Sequence, residues 1–343
     1  MEKENVGFTF QEIKIKVLDS ILIQEDSLPF GFTFNEKVFQ DSLLVLGDGT
    51  FSSIHLFNIN NGELINSFNQ ESIFDYPIAP RSYSNSFISG DTLYMLNHLT
   101  NEIFCFSFDR NFISKTELRL DQSSLVLDMD NVFELRNYKW YISSKAAGSI
   151  SDVFNSSKLV SVFNKNGVFI YAFGEYPKEY SEGPLVLSHN ENFLFKNDFI
   201  YSVNVAGKPI LKEYNLDGAL ISETDLKSQY FQEEIGYHTG DPFSAPLTDQ
   251  VNNLAADQNK NSKVFYLTYS TFLTRDFELG LGSYRLILMK VDLDKKIIGE
   301  VELLGSDYLS HTAELLPNVK GDTLSFLIRE KDQNLYVKKI KLY

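Results

Sequence analysis

The sequence predicts an all-β chain, a six-bladed β-propeller of four-stranded antiparallel blades. Three observations predict it. A unit of roughly fifty to sixty residues recurs about six times. Each copy carries Gly, Asn or Asp pairs where a tight hairpin needs positive backbone angles. The composition, 43% hydrophobic with 29 Phe and 18 Tyr, can fill a large core and excludes extensive disorder.

The clearest copy is Asp41 to Phe68, DSLLVLGDGTFSSIHLFNINNGELINSF. An apolar run (Leu43 to Leu46), a second run (Ile54 to Ile59), an Asn60-Asn61-Gly62 turn and a third run (Leu64 to Phe68) read as three consecutive antiparallel strands. The second copy runs from GDTLYMLN at Gly90 through NEIFCFSF and Asp109-Arg110-Asn111 to FISKTELRL. The third runs from NYKWYISS at Asn137 to the Asn166-Gly167 turn and VFIYAFG, and the fourth from NDFIYSVN at Asn197 to Asp217-Gly218 and ALISETDL. A fifth starts at KVFYLTYS (Lys263) and ends in KIIGEVEL. The sixth, from Gly321, reaches LYVKKIKLY and is one strand short.

An extended segment precedes each trio, such as NSFISG, FELRN and NFLFKN, so each blade has four strands, A to D from the inside outward. The turns Gln40-Asp41, Gly90-Asp91, Asn197-Asp198 and Gly321-Asp322 join A to B. The blades are expected at residues 29–68, 84–120, 131–174, 189–226, 250–303 and 311–343, forming one domain over 1–343. The strand missing from the last blade is expected from residues 8–18, FTFQEIKIKVL, which would close the ring and remove exposed sheet edges.

A degenerate pattern recurs in these blades: D-x-L-x-V at Asp41 to Val45, I-x-x-F at Ile54 to Phe57, an Asn/Asp-Gly turn, and I-x-x-F at Ile65 to Phe68. On it the chain resembles the TolB-like and NHL-like six-bladed propellers, in particular uncharacterised bacterial cell-envelope propellers. The resemblance covers about residues 8–343 and implies a fold, with no catalytic residues. It also implies a location in the bacterial envelope or periplasm, although MEKENVGFTF lacks the features of a signal peptide and no lipobox cysteine is present.

The formal charge of −15, from 46 acidic and 31 basic residues, repels phosphate backbones, so nucleic acid is not an expected partner. No apolar run approaches the roughly 20 residues of a membrane helix. A monomer is expected. Cys105, the single cysteine, lies in EIFCFSF and reads as a small core residue, leaving no intramolecular disulfide.

In a four-stranded blade the B-to-C and D-to-A connections leave from one end and the A-to-B and C-to-D turns from the other. Here the first set is long: Asn69 to Ser84, Gly174 to Ser188, Lys227 to Asn252, and Thr271 to Ser283 within blade five. Long loops gathered on a rigid scaffold are where binding sites commonly form. These carry Phe74, Tyr76, Tyr83, Tyr176, Tyr180, Tyr230, Phe231, Tyr237 and Phe243. Aromatic rings offer stiff contact area for a peptide, a glycan or a partner protein, or alternatively they anchor the loops onto the blades. Arg81 offers a bidentate fork for a carboxylate or a structural ion pair.

His189, His238 and His311 fall near the starts of successive A strands, with Glu191, Asp241 and Glu314 nearby. Imidazole and carboxylate donors suit a divalent ion, but no fixed-spacing metal motif is present, and surface or packing roles suit isolated histidines equally. Asp128, Asp130 and Glu134 resemble the start of a calcium loop that lacks its Gly and terminal Glu. No nucleophile elbow, P-loop, zincin motif or dinucleotide fingerprint occurs. Two functional expectations follow. The first is a non-catalytic binding or scaffold protein without a cofactor, using the long-loop face. The alternative is a metal-dependent propeller hydrolase or lyase with a divalent ion at the channel mouth.

Overall fold

The computed structural model of the chain describes residues 7–25, 33–39, 42–48, 53–68, 83–120, 125–127, 132–146, 158–176, 191–205, 208–231, 249–276, 281–304, 313–330 and 334–343. Among these residues every regular element is a strand, and the strands form the six antiparallel blades of a β-propeller. Three blades belong to a compact unit spanning Ile21–Ser181, and three to a unit made of Met1–Ser20 with Glu182–Tyr343.

The chain begins with β1 (Thr9–Glu12) and β2 (Ile15–Leu22). Blade one follows as β3 (Thr33–Phe39), β4 (Leu43–Asp48), β5 (Ser53–Asn58) and β6 (Leu64–Phe68), and blade two as β7 (Tyr83–Ser89), β8 (Thr92–Asn97), β9 (Glu102–Ser107) and β10 (Phe112–Glu117). In blade three, β11 (Leu125–Leu127) and β12 (Phe133–Arg136) both pair with β13 (Lys139–Ala146), which continues to β14 (Val160–Asn164) and β15 (Phe169–Phe173). Blade four comprises β16 (Glu191–Lys196), β17 (Phe199–Asn204), β18 (Ile210–Asn215) and β19 (Leu220–Asp225). Blade five comprises β20 (Gln250–Ala256), β21 (Val264–Asp276), β22 (Leu281–Asp292) and β23 (Ile297–Leu304). Blade six contains β24 (Glu314–Lys320), β25 (Thr323–Arg329) and β26 (Leu335–Leu342), completed by β2.

First strands approach one another within each unit, β3 and β12 against β7, and β16 and β24 against β20, so they are the inner strands. Burial grades outward from them. β4 is buried throughout, whereas β10 is mostly exposed and β19 has no buried residue. The middle strands are buried on both faces because each face meets a neighbouring blade, which is why they read as continuous apolar runs. Alternate side chains of one strand serve different neighbours: Phe265, Leu267 and Tyr269 of β21 join Val203 and Leu211 of blade four, whereas Tyr266 joins Leu324 and Phe326 of blade six. In the other unit, Leu93 and Met95 of β8 join Val45 and Leu56, whereas Leu96 joins Trp140 and Phe163. Cys105 is a buried free thiol, as expected of a small core residue.

The turns follow the local chemistry. Gly90, Asn197 and Gly321 have positive φ (58°, 54° and 56°) between A and B strands, as their residue types predict. Gln40-Asp41 lies outside the described residues. Between C and D strands, Gly62, Arg110, Gly167 and Gly218 have φ of 76°, 67°, 80° and 78°, each beside a register shift in the hairpin. A left-handed residue with a bulge is the usual three-residue hairpin solution. Gly62 and Gly167 also meet the preceding outer strand: a Cβ there would lie 1.8 Å from the Leu22 carbonyl oxygen and 2.0 Å from that of Glu117. That approach is held by backbone bonds from Gln24 N–H to the Gly62 carbonyl and from Arg119 N–H to the Gly167 carbonyl.

The N-terminal segment completes the last blade, but as β2 at residues 15–22, and it does so after a separate strand. β1 pairs in parallel with β23, adding a fifth strand to blade five. Between the two, Lys14 and Tyr343 exchange both backbone hydrogen bonds (3.0 and 3.1 Å), and Ile13 is buried in the core of blades five and six. The segment is longer than the eight-residue edge of β26, so it steps from one blade edge to the next. Gly299 leaves the room: a Cβ there would stand 2.6 Å from Ile13 Cγ2.

The connection expected over Thr271 to Ser283 is mostly strand. Pairing of β21 with β22 continues to Asp276 opposite Leu281, beyond the last pairs of β20 (Gln250 with Ser270) and β23 (Leu304 with Leu286). Thr271, Phe272, Thr274 and Tyr284 are good strand formers, and their propensity favours continuing the ladder over a loop.

Candidate functional site

In every blade the inner strand is entered from the end that also bears the B-to-C hairpin, and the long connections 69–82, 174–190, 226–249 and 305–313 all lead into inner strands there. Phe74, Tyr76, Arg81, Tyr180, Tyr237, Phe243, His189, His238 and His311 lie outside the described residues, as do Asp128, Asp130 and Asp241. Tyr83 opens β7, its backbone opposite Asn97. Tyr176 is buried at 8% exposure. Of the pair that follows blade four, Phe231 is buried edge-on to Tyr269 (centroids 5.4 Å apart), and Tyr230 is exposed. Ser228 organises this turn, accepting from the Tyr230 and Phe231 N–H groups and meeting the Tyr269 hydroxyl at 2.8 Å.

What the structure brings together instead are polar groups on the inner strands. In the unit of blades four to six, Asn253 Nδ2 donates to Glu314 Oε2 at 2.6 Å. The Asn253 amide cannot turn around, because its Oδ1 already accepts from Thr268 Oγ1 (2.8 Å) and Leu315 N–H (3.0 Å). Burial pushes the Glu314 carboxyl up, opposed by the Asn253 hydrogen bond. Asn192 Nδ2 donates to the Val251 carbonyl, tying β16 to β20. Glu191, placed beside His189 in the sequence, is closed by protein: Lys212 Nζ donates to one oxygen at 2.6 Å and Ser202 Oγ to the other at 2.5 Å, with the carboxylate fully buried.

In the unit of blades one to three, Lys37 of β3 donates to Asn85 Oδ1 (2.9 Å), the Ser86 carbonyl (2.9 Å) and the Phe133 carbonyl (3.3 Å). One ammonium thereby spends its three protons linking three inner strands. Burial pushes Lys37 down to about 8, against the pull of the Glu134 carboxylate. Burial likewise raises Glu134, which Lys37 and Arg136 oppose, with Arg136 Nε 3.4 Å from Glu134 Oε2. Glu134 thus belongs to this cluster and stands among cations.

A shared device aims these side chains. Register shifts fall between Phe34 and Lys37, between Tyr83 and Asn85, and between Val251 and Asn253. The residue just past each irregularity, Lys37, Asn85 or Asn253, is the one that reaches another inner strand. Bulges re-aim side chains in this way, and no residue pattern in the sequence announces them. Among the described residues no group of three His, Cys, Asp or Glu is arranged to hold a metal ion. His55 is buried between Ser53 and Ser67, 2.9 Å from each hydroxyl, and plays a packing role.

No family profile and no curated protein matches the sequence. Among solved structures the chain is similar to a member of the DUF4221 family from Bacteroides vulgatus (TM-score 0.67, 8% identity, 97% of this chain and 99% of that one). It is also similar to a candidate exported protein from Bacteroides fragilis (TM-score 0.58, 7% identity, 98% and 99%). A luciferin-regenerating enzyme gives a TM-score of 0.51 at 10% identity, over 94% and 95% of the two chains. At these identities the likeness is one of fold, spans nearly the whole length of each chain, and agrees with the blade topology: the protein is a six-bladed β-propeller.

Proposed function

We propose that this propeller is a binding protein that holds a peptide, glycan or partner protein at the end of the blades where the long connections lie. The observation that carries the reading is the asymmetry between the two ends of the blades. One end has short turns, the longest being 257–263 in blade five, while the other has the long aromatic-rich connections, the exposed Tyr230 and the prolonged β21–β22 hairpin. Rigid blades with elaborated loops at one end suit recognition. We extend the proposal to residues 1–343 acting as one monomeric domain of the TolB-like or NHL-like kind. The likeness to a candidate exported protein supports a place in the bacterial envelope.

The test is a screen of peptides and glycans against the purified chain, followed by Tyr76→Ala and Tyr237→Ala. Each should weaken ligand binding at least tenfold with an unchanged melting temperature. Tyr176→Ala, in a buried ring, should instead lower the melting temperature. If Tyr76→Ala and Tyr237→Ala destabilise the fold as Tyr176→Ala does, their rings are loop anchors and the proposal fails. A metal-dependent hydrolase or lyase remains the second reading, because Glu314 is a carboxyl with an oxygen to spare. Stoichiometric copurifying metal, with a melting temperature lowered by chelator, would favour it.

A further inference from the structure

Three carboxylates of blades four and five are held on both oxygens by their own protein. Glu191 has Lys212 on one oxygen and Ser202 on the other. Glu213 has Tyr201 on Oε1 and Ser222 on Oε2, and Glu300 has Tyr269 on Oε1 and the Gln229 N–H on Oε2. Glu314 departs from this rule. Its Oε2 is held by Asn253, whose own orientation Thr268 and Leu315 enforce, while among the described residues no donor reaches Oε1 and no lysine or arginine pairs with it. It stands at the first position of β24, where the connection 305–313 enters the inner strand, and it is partly accessible. Three hydrogen bonds therefore orient a carboxyl whose Oε1 has no donor among the described residues. A purely structural carboxyl gains nothing from that arrangement, because burial without a counter-charge is unfavourable.

We propose that Glu314 anchors a basic side chain, a lysine ammonium or an arginine guanidinium, of a peptide bound at the loop end of the blades. This rests on the binding reading above and specifies its ligand class. An incoming ammonium or guanidinium donates to Oε1 while Asn253 keeps Oε2 in place, completing the donor set that the other carboxylates already have. The chain's −15 charge concentrates cationic peptides at its surface and favours this occupant over an acidic one. Affinity therefore falls as acidification protonates the carboxyl. A neighbouring cation stabilises the ionised form that burial disfavours.

The experiment measures binding to a peptide array in which each basic sequence has a twin with norleucine for lysine and citrulline for arginine. Wild type should prefer the basic member at least tenfold, and Glu314→Gln should bring the two within about twofold without lowering the melting temperature. Should Glu314→Gln fold poorly, carbon-detected titration of the Glu314 carboxyl in wild type, with and without the best basic peptide, gives the same answer: its pKa must drop when the peptide binds. Peptides bound equally with norleucine or citrulline, or an unmoved carboxyl titration, overturn the anchor while leaving the binding reading intact. Preference for amino sugars over peptides, or chelator-sensitive occupancy by a divalent cation, overturns the peptide assignment. Failure of every peptide and glycan to bind overturns both readings.

Discussion

His55 shows how a single residue links burial to solution behaviour. Its ring is buried between two serine hydroxyls, and burial pushes its pKa down to about 4 from the ordinary 6.5, with Asp48 pulling the other way. The unfolded chain therefore takes up a proton near 6.5 that the folded chain refuses until about pH 4. His55 accordingly contributes no pH dependence above about 6.5, and its neutral burial is penalised progressively as pH falls through that window. The loss reaches about 3 kcal/mol. Denaturant unfolding at pH 7.5, 6, 5 and 4 should show wild type losing this much more stability than His55→Gln; parallel curves would remove His55 from the acid sensitivity. Glycines separate into two kinds on the same scale. Gly90 and Gly167 both have positive φ, so alanine strains each backbone by about 1 kcal/mol. A Cβ meets nothing at Gly90 but meets the Glu117 carbonyl oxygen at 2.0 Å at Gly167. Gly167→Ala should thus cost at least about 2 kcal/mol more than Gly90→Ala in unfolding free energy, as overpacking against backbone does. Equal costs would mean that the outer strand simply moves away. Gly90 and Gly167 look alike in the sequence, since the distinguishing carbonyl lies in another blade.

Strands and turns were the most legible elements. Hairpins at Gly90-Asp91, Asn197-Asp198 and Gly321-Asp322 appear where their residues place them, because a tight turn depends on a few consecutive backbone angles. The Asn137-Tyr138 turn differs from these in having both residues at positive φ (48° and 62°), an unusual conformation for a tyrosine. The prolonged β21–β22 hairpin looks like a loop in the sequence because no hydrophobic alternation extends through Thr271 to Ser283, and strand propensity with cross-strand pairing decides there instead. Inner-strand bulges were equally hidden. Lys37, Asn85 and Asn253 are ordinary polar residues in sequence, and only the register of the ladder shows which way each is aimed. Of the candidate site, Glu191 and Glu314 are readable in the sequence as carboxylates near the starts of inner strands, but nothing local distinguishes the carboxyl closed by Lys212 and Ser202 from the one held by Asn253 alone among the described residues.

At the scale of the molecule, the N-terminal segment carries two separable tasks. β2 is the fourth strand of blade six, and β1 is an added fifth strand on blade five. Removing residues 1–22 leaves blade six without its outer strand and should abolish stable folding, because an open edge strand invites aggregation. Removing residues 1–12 deletes only β1 and should leave a soluble protein with a lowered melting temperature. A fully cooperative, soluble 1–22 truncation would show that the borrowed strand is dispensable. Repeat period, turn residues and the sixth unit's missing strand were all readable along the chain, because each depends on neighbours within one blade. The polar clusters were decided by tertiary structure alone: Lys37 meets groups 48 and 96 residues away, and Asn253 meets Glu314 across 61 residues. Local chemistry determines which strand follows which. Whether a buried carboxyl is neutralised or left open depends on which distant donors the packed blades bring within hydrogen-bonding distance.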